Sequence, residues 1–193
     1  MKYLKRFNES LDIKSILQDG FDTLMYNTHL VQDQVRQNLD KFLNELNENK
    51  FQNKFGKINK FLGAGVFGAV FQLESGKVLK ITFDFHEAPF LYEYCKLQKI
   101  DGFVKVDDVF KIKFGDTDAY IIVRDPIEVL TNRNEYQDEI KQAENAMYKI
   151  SPVWRGTHPG NYGLQNGEVV LYDGFCKKAK IDETKVPFLE LKK

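Results

Sequence analysis

The sequence predicts an α+β fold: helices first, then a five-stranded antiparallel sheet with one helix, then a small second lobe. Two observations carry this. Over residues 10–50 the apolar positions Val35, Leu39, Phe42 and Leu46 recur at spacings of three and four, a helical stripe. From Lys57 onward the pattern changes to alternation, in short runs separated by turn residues, which reads as strands.

Taken in order, residues 1–9 read as a loose or docking tail, and Asp19-Gly20 breaks the helical region into a short and a long helix. Strands are expected over 57–62, 69–73 and 78–81, with Glu74-Ser75-Gly76-Lys77 as a tight turn between the last two. A short helix fits 88–99. Two further strands fit 106–112 and 119–123, joined through Gly115-Asp116-Thr117-Asp118. A long helix fits 134–150, with Ile140, Ala143, Met147 and Ile150 on one face. A last hairpin turns at Gln165-Asn166-Gly167. The expected division is a helical extension over 1–52, a sheet lobe over 53–125 and a small lobe over 126–193.

Bulk properties narrow the function. The chain has 193 residues, 42% hydrophobic and 13% aromatic, enough apolar surface for a sizeable core. Lys and Arg number 28, and so do Asp and Glu, so the net charge is zero and no specific nucleic-acid surface is expected. The two cysteines, Cys95 and Cys176, form no CxxC pair, which suits a reducing compartment. No apolar run has the length of a membrane span and no signal core follows the basic N-terminus, so the cytoplasm is the expected location.

Gly63-Ala64-Gly65-Val66-Phe67-Gly68-Ala69-Val70 fits GxGxxGxV. Glycines at Gly63, Gly65 and Gly68 would let backbone amides approach phosphate oxygens. The residues that follow alternate as a strand, turn, and return as a strand. The loop therefore joins antiparallel strands, unlike the strand-to-helix loop of dinucleotide-binding folds. Lys80 lies on the returning strand between apolar neighbours, placed to reach phosphates beneath the loop. Such a lysine needs a carboxylate from the next helix. Glu87 and Glu93 are both candidates. Glu87 could instead close a capping box with Asp84, although Pro89 argues for a helix start after Glu87.

Farther on, His158-Pro159-Gly160-Asn161 and Asp173-Gly174-Phe175 stand on either side of the last hairpin. In order with the glycine loop and Lys80, these residues resemble the protein-kinase-like superfamily over about 57–175. The wording around Asn161 is nearer the aminoglycoside-phosphotransferase and UbiB-type branches. The resemblance implies ATP as nucleotide, Val70 beside it, Lys80 on its phosphates, and Asn161 and Asp173 as magnesium ligands, with Lys80 and Asp173 as the catalytic pair. It also implies a hinge at Arg124-Asp125-Pro126-Ile127, where backbone groups meet adenine, with Arg124 and Pro126 in the nucleotide site.

The sequence departs from that family in three places. Gly156 occupies the position of the catalytic Asp, a group worth about 10²- to 10⁴-fold in rate. The metal motif reads Asp-Gly-Phe rather than Asp-Phe-Gly, so Phe175 is expected to point away from the helix it usually packs under. Residues 176–193 are too few for the peptide-substrate platform of a full kinase. The resulting expectation is a pseudokinase that binds nucleotide and acts through protein contacts, with the N-terminal helices as a partner surface. The alternatives are a minimal ATP-dependent phosphotransferase, in which His158 partly replaces the base, and a structural component of a larger assembly. The compact form also resembles kinase-like proteins of some tailed phages, which would place it in host cytoplasm or virion.

Overall fold

The computed structural model describes residues 50–64, 68–114, 117–130, 132–154, 158–175, 179 and 181–190. The expected helices over 10–50, Gly65, Gly156 and Cys176 lie outside the described residues, apart from Lys50.

Helix α1 (Lys50–Phe55) ends at Gly56, whose φ of 84° suits a left-handed C-cap. The Gly56 amide donates to the Gln52 carbonyl, and Ser75 Oγ donates to the Phe55 carbonyl. The sheet then forms from β1 (Ile58–Ala64), β2 (Gly68–Leu73), β3 (Val78–Thr82), β4 (Val106–Phe114) and β5 (Thr117–Arg124). All its pairings are antiparallel and the spatial order is β1-β2-β3-β5-β4. The expected α+β class and five-stranded antiparallel sheet are therefore what the chain adopts.

Both faces of this sheet are covered. Alternation sends Phe71, Leu79, Ile81, Ile121 and Val123 to one face, where they join Phe55 of α1 in one core. The opposite face carries a cross-strand row, Val70 beside Lys80 beside Ile122 beside Val109. That face belongs to a second core shared with the remaining helices and strands.

The helix after β3 begins as α2 (Glu87–Phe90) and continues as a π-helical stretch, Leu91–Leu97. Its span matches the expected 88–99, but the wider turn, with bonds reaching five residues back, carries no sequence signal. Helix α3 (Gln137–Ile150), preceded by a 3₁₀ turn (Arg133–Tyr136), buries Ile140, Ala143 and Met147 as its periodicity predicts. Short strands β6 (Glu128–Val129), β7 (Tyr162–Gln165) and β8 (Glu168–Leu171) make a three-stranded antiparallel sheet in the order β6-β7-β8. The β7–β8 turn has φ of 55° at Asn166 and 82° at Gly167, so both residues are left-handed, as a primed hairpin turn requires.

Several connections tie the parts together. Phe103 bridges Leu171 in parallel, with Val104 N–H donating to the Leu171 carbonyl at 3.0 Å. Gln165, 2% exposed, bonds both backbone groups of Lys105: it accepts from the amide at 2.7 Å and donates to the carbonyl at 2.8 Å. The chain near its end returns to the first sheet. Pro187 and Leu189 exchange backbone bonds with Lys111, covering the β4 edge.

Candidate nucleotide site

The clearest consequence of the register is where Lys80 points. It sits on the same face of β3 as Val78 and Thr82, aimed between the sheet and the second lobe. There it lines a cleft of about 500 Å³ together with Gly68, Val70, Glu87, Arg124 and Asp173. Residues distant in sequence thus converge on one cavity.

The Lys80 ammonium is held by Glu87, with Nζ 2.5 Å from Oε1 and 2.7 Å from Oε2. Both side chains are largely buried, which strengthens the pair over a solvated one. Asp84 makes this possible. Its Oδ1 accepts from the amides of His86 (2.8 Å) and Glu87 (3.3 Å), satisfying the helix start. Asp84 thus braces the turn that leads into the helix, and the Glu87 carboxylate meets Lys80. Pro89 does not delay the helix past Glu87, because within the first turn its missing N–H costs no bond. Glu93, the other candidate, lies away from the cleft. It accepts from Lys185 at 3.1 Å and Gln98 at 2.9 Å, and those bonds hold its carboxyl below the usual range.

Asp173 follows β8 on the opposite wall. Its carboxylate is exposed, and Oδ1 accepts from the Gly174 amide at 2.7 Å. Gly174 has φ of 75°, and a Cβ there would run into the Asn161 carboxamide, so Asn161 lies against this turn. Pairing across the hairpin explains it: the Tyr172 amide donates to the Asn161 carbonyl at 2.9 Å. Asn161 is behind the cleft wall rather than on it. Of the two, only Asp173 puts a hard-oxygen donor on the cleft wall. One exposed carboxylate fits magnesium, which keeps most of its shell for water and phosphate oxygens. Among the described residues no group of three or more His, Cys, Asp or Glu is gathered as a protein-only metal cage.

Phe175 corrects the sequence expectation. It stacks on Phe90 of α2, with centroids 4.5 Å apart at 23°, and meets Phe103 edge-on at 6.3 Å. The left-handed Gly174 turns the chain back, so the phenylalanine reaches the helix despite the altered order of the motif.

The glycines divide. A Cβ on Gly68 would stand 2.6 Å from the Ile81 carbonyl oxygen, so close strand pairing requires glycine there. Gly63 has an ordinary φ and nothing within 4 Å of a Cβ, so packing does not require its glycine. Neither Gly63 nor Pro126 lines the cleft. His158 Nδ1 accepts from the Gly160 amide at 3.1 Å, a bond that braces its own loop.

Sequence reasoning missed three contributors. Asp84 and His86 line the cleft from the β3–α2 connection. Trp154, 1% exposed, donates from Nε1 to the Gly174 carbonyl at 2.7 Å and so fixes the turn bearing Asp173. The single Trp of the chain, just before the His158-Pro159-Gly160-Asn161 segment, was the available signal.

No protein-family model matches the chain, and no curated protein sequence does either. Among solved structures, a MAP kinase from Leishmania major matches with a TM-score of 0.48 at 15% identity. The match covers 72% of this chain and 50% of that kinase, so this chain spans about half its length. Among the described residues no helix is long and apolar enough to cross a membrane.

Proposed function

We propose that the cleft binds a magnesium-complexed nucleoside triphosphate and that the chain is a pseudokinase, working through protein contacts rather than phosphoryl transfer. The observation that carries this reading is the convergence of the Lys80–Glu87 pair and Asp173 on one cavity, in a sequence with glycine at position 156. In this reading Glu87 orients Lys80 toward the phosphates. Asp173, with Asn161 at its turn, holds the magnesium, whose charge would offset that of the phosphates. With no Asp at Gly156, nothing supplied by the family motif takes the acceptor proton. Residues 1–52 are proposed as the partner surface, on the strength of their apolar stripe alone.

Thermal unfolding with magnesium and ATP or GTP tests the binding step. Ligand at about 100 times Kd stabilises by roughly 2.7 kcal/mol. The parent should therefore melt several degrees higher with one or both nucleotides, and Asp173→Ala should lose the shift. An unchanged parent melting temperature with both nucleotides would overturn the reading.

One observation favours a second reading, a minimal phosphotransferase: Asp84 and His86 carry titratable groups onto the cleft wall. With γ-labelled nucleotide and candidate acceptors, including the protein itself, the pseudokinase gives no transfer. Transfer that is lost in Lys80→Ala and slowed in His86→Asn would establish the enzyme.

A further inference from the structure

Arg124 lines the cleft, and the nucleotide reading, which uses only backbone groups at this position, gives its side chain no task. It ends β5 on the face that lines the cavity. The register pairs it with Val78 on β3 and Val106 on β4, two residues beyond the Lys80–Ile122 pair toward the chain segment that links the lobes. A guanidinium carries five N–H donors and no acceptor. Among the described residues Arg124 makes one hydrogen bond, from Nη1 to the Asp125 carbonyl at 3.1 Å. Its Cζ stands 5.9 Å from the centroid of the Tyr172 ring, a loose cation–π contact.

Of the carboxylates near Arg124, Asp173 accepts from the Gly174 amide and two others are taken by other side chains. Glu87 takes Lys80, and Asp125 takes Lys77 at 2.9 Å and Asn166 at 3.2 Å. No ion pair joins Arg124 to a carboxylate among the described residues. Burial lowers its pKa, while the charges of Glu87, Tyr172 and Asp173 act in the opposite sense. Arg124 is part-buried on the cleft wall, and most of its donors have no protein partner among the described residues, so they face whatever fills the cleft.

We infer that Arg124 reads the base of the bound nucleotide, and that the cleft prefers guanine to adenine. The inference rests on the nucleotide reading above. With phosphates drawn to Lys80 and Asp173, the base extends toward the end of β5 and meets the guanidinium. Guanine presents two adjacent acceptors, O6 and N7, which a guanidinium fork bonds together. Adenine presents an amino donor beside N7. Against a donor-only group it would set donor against donor. A good bidentate contact of this kind discriminates roughly 5- to 150-fold in Kd.

The test is the Kd of magnesium complexes of GTP, ITP and ATP for the full chain. ITP keeps O6 and N7 and drops only the 2-amino group. GTP and ITP should bind alike, both tighter than ATP by that factor. Arg124→Gln should reverse or erase the preference, because Gln pairs with the adenine N6 and N7 edge. Arg124→Lys keeps the charge without the fork and should shrink the ratio, which covers the case in which the Gln variant does not fold. ATP binding as tightly as GTP in the parent overturns the inference and leaves nucleotide binding intact. So does a GTP preference that ITP does not share, or one that persists in a folded variant. If none of the three binds, the nucleotide reading itself has failed.

Discussion

The two walls of the cleft are prepared in opposite ways. On the sheet wall, Lys80 lies in the middle of a strand, and two oxygens of Glu87 engage it. Its charge is matched before any ligand arrives. On the hairpin wall, Asp173 sits on an exposed turn whose geometry comes from neighbours: a left-handed Gly174, the Asn161 carboxamide against it, and Trp154 holding the Gly174 carbonyl. The lesson is one of stiffness and exposure. The sheet positions a cation rigidly and neutralises it. The turn holds an exposed carboxylate that accepts one backbone amide, that of Gly174, among the described residues.

Removing Trp154 is the strongest way to break this contrast. Its ring is buried in the second core and meets Tyr148 edge-on at 5.5 Å, so Trp154→Ala loses a large packed volume as well as the bond to Gly174. The expected loss in urea denaturation is about 3–5 kcal/mol. Trp154→Phe keeps most of the volume and drops the hydrogen bond. A milder loss of about 1–3 kcal/mol is expected, from an unsatisfied carbonyl. If Trp154→Phe is as stable as the parent, the bond does not hold the turn and the account of the hairpin wall is wrong.

On the sheet wall the matching change is Glu87→Gln, which keeps shape and removes charge. Lys80 then keeps one neutral partner in a partly desolvated place. A loss of about 1.5–3 kcal/mol is expected, the range for hydrogen bonds to charged groups. Lys80→Met in the same background should recover part of it, since no unpaired cation remains. Failure of the double variant to recover any stability would mean that Glu87 matters by packing rather than by holding Lys80.

The two walls also differed in how far they were legible. Strands showed through alternation, and Lys80 stood out as a charge inside an apolar run. The choice between Glu87 and Glu93 did not show, since both fall on the same short helix. It was decided by three-dimensional placement, which puts Glu87 in the cleft and Glu93 against Lys185 and Gln98. On the hairpin side, Asn161 and Asp173 were legible as a spaced pair, but the support under them was not. Trp154 reaches Gly174 across 20 residues, and no local pattern announces that bond. For Phe175, motif order does not give direction; the φ of Gly174 sets where the ring goes.

A smaller effect should appear where the two walls are clasped together. Lys77, at the start of β3, donates to Asp125 at 2.9 Å and to Asp107 at 2.8 Å, and Asp125 also accepts from Asn166 of the β7–β8 turn at 3.2 Å. The Lys77 and Asn166 bonds hold the Asp125 carboxyl below its usual range, and the carboxylates of Asp107 and Asp125 raise Lys77. A depressed carboxyl contributes stability that is present above its unfolded value, near 4, and is lost as pH falls through the folded one. A raised lysine contributes stability that is full below its unfolded value, near 10.4, and is lost as pH rises through the folded one. The clasp should therefore be intact across the neutral range and fail at both ends. These groups are about a third exposed, so the contribution at neutral pH should be no more than ~1 kcal/mol. Melting temperature followed from pH 2 to 6 should fall less steeply in Asp125→Asn than in the parent, and 1 M salt should narrow the gap between them. Parallel curves would show that the clasp adds nothing to the joining of the two walls.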